Sequence, residues 1–229
     1  MSARPPTLLF AGGPTTKKAT YAAPLRQAFA ATGKPKPRIA YLAAASGDDP
    51  RFFQYMRAFL DSGGPCEVEL APLAGKKVSP AKARKVVESA DLVFVGGGDV
   101  EEGMKWLAHH ELIGWLEQRH AQGQAFLGVS AGAIMLCRQW VRWRDPDDDA
   151  SAEPLGCMGI ANALCDTHGE EDDWAELRTL LKLKGEGAVG HGIRTGAAIR
   201  VGVDGRIETL VGEVDSLACR GGRAVSASR

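Results

Sequence analysis

Short apolar runs, each bounded by glycine, proline or charged residues, recur through the first half of the chain: Thr7 to Ala11, Arg38 to Ala43, Cys66 to Leu70, Asp91 to Val95 and Ala125 to Val129. Their length and their β-branched and aromatic content predict strands. Because they show little polar alternation, both faces of the resulting sheet should be covered. Between them the apolar positions follow a helical period over Thr20 to Ala31, Pro50 to Ser62, Pro80 to Ser89, and Val100 to Gln122 with a break near His109. Strand and helix in strict alternation predict a doubly wound parallel sheet with helices on both faces.

The second half is less regular. Trp174 to Lys184 reads as a helix, and Ala197 to Val203 with Arg206 to Val211 reads as a hairpin across Asp204-Gly205. A last strand is expected within Ala218 to Val225. Arg144 to Pro154 reads as a projecting loop, with Asp147, Asp148 and Asp149 as solvated charges. The polar, Gly- and Ser-rich stretch 221–229 reads as a frayed tail. A length of 229 residues suits one α/β domain.

Charge narrows the function classes. Lys plus Arg and Asp plus Glu are equal at 28 each, so no net field draws the chain to nucleic acid or to an anionic membrane. The longest mostly apolar stretch, Ala125 to Cys137, is shorter than the ~18 residues of a membrane span. Leu8 to Ala11 is too brief for a secretory signal, so a cytoplasmic location is expected. Five scattered cysteines without a C-x-x-C pair suggest reduced thiols, and the adjacent His109 and His110 point in different directions on a helix. Neither a metal nor an organic cofactor is expected.

The sharpest chemical signal is Gly128-Val129-Ser130-Ala131-Gly132, which follows a predicted strand and opens an apolar helical stretch, Ala133 to Cys137. A G-x-S-x-G turn in that setting holds the serine hydroxyl above the sheet edge and leaves the N–H groups after it unpaired. Such a hydroxyl can meet a base and an acyl carbon, and those N–H groups can bind the resulting oxyanion. A second turn, Gly96-Gly97-Gly98-Asp99, ends the strand Asp91 to Val95. It lacks the spacing of a dinucleotide or P-loop motif, and its N–H groups are candidates for the other half of an oxyanion hole. Gly12-Gly13-Pro14 occupies the same place after the first strand and is expected to wall the cleft.

Phe94-Val95-Gly96-Gly97-Gly98-Asp99 together with Gly128-Val129-Ser130-Ala131-Gly132-Ala133 resembles the dipeptidase E and cyanophycinase family of serine peptidases. The resemblance in layout runs from about Leu8 to Val211. It implies the class I glutamine amidotransferase-like fold: an α/β protein, a three-layer α/β/α sandwich with a mostly parallel, flavodoxin-like sheet. It also implies a serine-then-histidine order, with the histidine in a turn before a helix. Asp166-Thr167-His168-Gly169 matches that place, which makes His168 the expected base beside the nucleophile Ser130.

The acid is less sharply marked. Asp145, in the segment after the nucleophile helix, is the first choice by resemblance, and Glu170, two residues after His168, is the alternative. Where the cyanophycinase branch carries a later glutamate this chain has Thr195. Gly97, Gly98 and Ala131 are the expected oxyanion donors. The expected activity is hydrolysis of short peptides through an acyl-serine, with aspartyl dipeptides suggested by the resemblance. Arg142, Arg144 and Arg194 are nearby candidates for a carboxylate clamp, each of equal standing as a solvated surface residue. Val100 follows Asp99 where the cyanophycinase pattern has glutamine, which argues against that polymer as substrate. A non-catalytic binding protein of the same fold, an amidotransferase-like domain and an esterase remain alternatives, and association into homo-oligomers stays open.

Overall fold

The computed structural model describes residues 4–13, 17–75 and 78–227. Its central sheet has seven strands. Five are β1 (Thr7–Phe10), β2 (Arg38–Leu42), β3 (Glu67–Ala71), β4 (Leu92–Val95) and β5 (Ala125–Val129). They pair in parallel in the spatial order β3, β2, β4, β5, β1. The mostly parallel sheet expected from the sequence is therefore present.

Both faces are buried, as the unbroken apolar runs require. Within β1, Leu8 and Phe10 enter one core and Leu9 the other; within β4, Leu92 and Phe94 are separated from Val93 and Val95 in the same way. Burial of each such large side chain contributes about 1.5–3 kcal/mol. One core lies under α1 (Ala22–Ala31) and α2 (Pro50–Leu60). The other lies under α3 (Pro80–Glu88), α4 (Val100–His109), α5 (Ile113–Ala121) and α6 (Ala131–Leu136). The break expected near His109 separates α4 from α5.

Beyond α6 the chain makes two smaller sheets. β6 (Gln139–Trp143) and β7 (Ala152–Gly156) form an antiparallel pair. Much of the segment read as a projecting loop is therefore the end of a hairpin, because Trp140, Val141 and Leu155 bury side chains that offset its charges. β8 (Cys165–Thr167), β9 (Val189–Ile193), β12 (Val214–Arg220) and β13 (Arg223–Ser226) form a four-stranded sheet covered by α7 (Ala175–Lys184). Between β9 and β12, the predicted hairpin β10 (Ala198–Val201) and β11 (Ile207–Val211) returns to the central sheet and pairs antiparallel with β1.

The stretch read as a frayed tail is corrected over Arg223–Ser226. Gly221 and Gly222 take φ of 57° and 72°, turning the chain back on itself, and Ala224 is buried beneath α7. What read as one strand over Ala218 to Val225 is thus a hairpin; residues 228–229 lie outside the described residues. Among the described residues no helix is long and apolar enough to cross a membrane.

Candidate active site

β5 lies between β1 and β4, so the three glycine-rich turns meet at one edge of the sheet. Val129 at the end of β5 is level with Phe10 at the end of β1, and Gly128 is level with Val95 at the end of β4. Ser130 follows at once. Its N–H donates to the Phe10 carbonyl at 2.9 Å, while its own carbonyl accepts from Ala133 and Ile134 at 2.8 and 3.2 Å. Pinned from both sides, it takes φ 53° and ψ −127°, a conformation that a residue with a side chain rarely adopts.

The flanking glycines make this bend possible. A Cβ on Gly132 would overlap the Val95 carbonyl, and one on Gly128 would lie 2.6 Å from the Gly132 carbonyl oxygen. Substitution of either residue would push α6 away from the sheet. Gly98 has φ 137° and its backbone lies against the Ala45 carbonyl, leaving no room for a side chain. Asp99 then donates its N–H to Ala45 at 2.8 Å and caps α4 by accepting from Glu102 N–H at 2.7 Å. These bonds hold the turn with Gly97 beside the serine: a Cβ on Gly97 would lie 3.1 Å from the Ser130 Cβ. Among the described residues, the N–H groups of Gly97, Gly98 and Ala131 have no acceptor in the protein.

The histidine expected as base comes from the other sheet. His168 follows β8 with φ 45°, and its N–H donates to the Ile193 carbonyl at 2.9 Å. The bend aims its ring at the elbow, where Nε2 lies 2.8 Å from the Ser130 hydroxyl. The other histidines are held elsewhere. His110 and His120 bond the carbonyls of Leu73 and Pro5, His191 bonds the Ser216 hydroxyl, and His109 packs edge-on to Trp106.

The two candidate acids occupy different surroundings. Asp145 is exposed beyond β6, and its carboxylate accepts from the N–H of Asp147 at 3.1 Å, closing a local turn. Glu170 shares the turn of His168 and accepts from the Thr195 N–H at 2.9 Å, while its Oε2 is buried without a partner among the described residues. Burial pushes the Glu170 carboxyl up, but hydrogen bonding from Thr195 and the nearby imidazole outweigh it and hold the pKa below the usual glutamate value.

The arginines proposed for a carboxylate clamp are already engaged. Arg142 and Arg144 pair with Glu153, and Arg194 forks onto Asp215 at 2.8 and 2.9 Å and reaches Glu213 at 3.1 Å. A cavity of about 320 Å³ opens beside Ser130 and His168. Gly12 and Gly13 wall it as expected, whereas Pro14 lies outside the described residues. Its aromatic wall was not singled out from the sequence. The signal for it is the spacing of Phe52, Tyr55, Met56 and Phe59, one face of α2 that also reads as ordinary core.

A family model described as peptidase family S51 matches residues 8–209, which covers both turns, the serine and the histidine. The chain belongs to peptidase family S51. It is a serine-type peptidase of the dipeptidase E kind, in agreement with the motif resemblance. Two solved structures share the S51 chain's fold. A peptidase from an acI-B1 Actinobacterium aligns with TM-score 0.67 and 20% identity, covering 97% of this chain and 96% of that one. A putative peptidase E protein from Listeria monocytogenes EGD-e aligns with TM-score 0.65 and 14% identity, covering 92% of this chain and all of that one. A search of curated proteins finds no match for this S51 sequence.

Proposed function

We propose that this chain hydrolyses short peptides through an acyl-serine intermediate, with Ser130 as nucleophile and His168 as general base. The observation that carries this reading is the 2.8 Å approach of the Ser130 hydroxyl to His168 Nε2. A serine hydroxyl is a weak nucleophile by itself, and an imidazole at hydrogen-bond distance can take its proton as the oxygen attacks. The carbonyl oxygen of the substrate then acquires negative charge beside Gly97, Gly98 and Ala131. Their unmatched N–H groups support a role as oxyanion donors, and one such donor contributes about 3–4 kcal/mol to the transition state.

Glu170 is the orienting carboxylate in this proposal. It lies two residues from His168, the nearby imidazole helps to keep it ionised, and its buried, unpartnered Oε2 is available to accept a hydrogen bond from the ring's other N–H. Asp145 is less well supported, since its carboxylate is spent on its own turn. Thr195, where the cyanophycinase pattern carries a glutamate, donates to Glu170 and so helps to hold a carboxylate in the same neighbourhood.

Collapse of the tetrahedral intermediate breaks the C–N bond as His168 returns the proton to the departing amine. Water then repeats the sequence on the acyl-serine. Ser130→Ala should fold as the native chain does and lose at least about 10³-fold in kcat on a cleavable dipeptide, by analogy with other serine peptidases. Native turnover in that variant would refute the mechanism.

A further inference from the structure

The loop from His168 to Trp174, which carries Glu170 as well as the histidine, holds its shape against its own backbone preference. Of the six non-glycine residues at positive φ among the described residues, three lie in it: His168 at 45°, Asp173 at 55° and Trp174 at 60°. Such conformations persist only where the surroundings impose them. Here they are imposed from two sides. At the end of the loop Trp174, 3% exposed, donates its backbone N–H to the Gly169 carbonyl at 2.9 Å and lays its ring against Gly169 and Gly192. Across from it, the exit of β9 grips the loop through two bonds of 2.9 Å. The Ile193 carbonyl accepts from the His168 N–H, and the Thr195 N–H donates to Glu170. Arg194 stands between those two residues.

One carboxylate joins the two supports. Asp215 in β12 is in register with Gly192, where the Trp174 ring lies. Its Oδ2 accepts from the Trp174 indole N–H at 2.9 Å and from Arg194 Nε at 2.8 Å, and its Oδ1 accepts from Arg194 Nη2 at 2.9 Å. A forked guanidinium fixes the plane of its partner as well as the distance. Hydrogen bonding from Arg194, helped by Trp174, holds Asp215 below the usual aspartate range, so the junction stays ionised. We infer that Asp215 is a positioning residue: through Trp174 and Arg194 it fixes the loop that carries His168 and Glu170, and with it the approach of Nε2 to Ser130. This rests on the acyl-serine reading above. Without the carboxylate, the indole N–H and the guanidinium lose their shared acceptor, and a loop its backbone does not favour can relax.

The test combines steady-state kinetics on one cleavable dipeptide with the rate of fluorophosphonate labelling at Ser130. Asp215→Ala should lower kcat by about 10- to 100-fold with KM within about twofold of native, the loss expected when a reacting group is misplaced by ~1 Å. Trp174→Phe keeps an aromatic ring against Gly192 and removes the indole N–H. It should lower kcat in the same direction by a smaller factor, and it carries the test where Asp215→Ala does not fold. In a His168→Ala background, adding Asp215→Ala should change the labelling rate by less than about twofold, because the carboxylate acts through the histidine. Native kcat in both single variants, a loss carried by KM alone, or labelling slowed by about tenfold or more in the double variant would overturn the inference and leave the serine mechanism standing. A native protein that neither labels at Ser130 nor turns over would overturn both.

Discussion

Ser130, His168 and Glu170 differ in how far the sequence alone reveals them. The serine announces itself because two glycines must flank it: a Cβ on Gly128 would meet the Gly132 carbonyl, and one on Gly132 the Val95 carbonyl. The histidine is marked by its place before a helix, and its approach to the serine spans 38 positions of sequence. The acid is ambiguous because both candidates are acidic residues in loops. Only the folded chain shows that Asp145 caps a turn of its own while Glu170 is tied to Thr195. This difference yields a paired prediction. Glu170→Gln should lower kcat by about 10²-fold with little change in KM, since a neutral amide stabilises imidazolium poorly. Asp145→Asn should leave both constants near native. Steady-state kinetics on one dipeptide, compared for the two variants, checks the assignment, and the reverse pattern would restore Asp145.

At the scale of elements, β5 and α6 meet in a bend that the backbone resists. Ser130 at φ 53° holds strain of about 1–3 kcal/mol, which glycine would not carry. Ser130→Gly should therefore be inactive and yet unfold at higher denaturant, gaining about 1 kcal/mol; a midpoint unchanged or lowered against Ser130→Ala would contradict the strained elbow. The parallel strands were legible because they are buried on both faces and their composition says so. β9 was not, because Val189-Gly190-His191-Gly192-Ile193 carries two glycines in five residues. Those glycines are packing devices: Gly190 admits the Leu177 side chain and Gly192 lies directly against the Trp174 ring. The hairpin of β6 and β7 was hidden by the acidic run at its tip, and α2 conceals one wall of the cavity in what reads as a plain amphipathic helix.

Across the whole molecule the two proposed catalytic groups come from different sheets. Ser130 stands on the seven-stranded sheet, and His168 extends from β8 in the four-stranded one. The packing that joins the sheets therefore sets the 2.8 Å distance between them. Part of that region is acidic and buried. Burial, together with the charge of Asp172, raises the Asp166 carboxyl to about 6 despite a bond from the Thr167 N–H. Burial and the charges of Asp166 and Asp172 raise Glu176 to about 7. Between the ordinary carboxylate range and pH 7 these groups keep protons in the folded chain that they release on unfolding. Their contribution to stability therefore falls as pH rises through that window. Asp166→Asn keeps the acceptor for Thr167 and removes the buried charge. It should raise Tm by about 5 °C at pH 8 and by almost nothing at pH 4, as thermal unfolding at the two pH values would show.

The central claim is that Ser130 is activated by His168. Intact-mass analysis after treatment with a fluorophosphonate measures it most directly, with peptide mapping to place the adduct. The native protein should gain one adduct, located on Ser130, and His168→Ala should label more slowly by orders of magnitude. A native protein that stays unlabelled, or a His168→Ala variant that labels at the native rate, would contradict it.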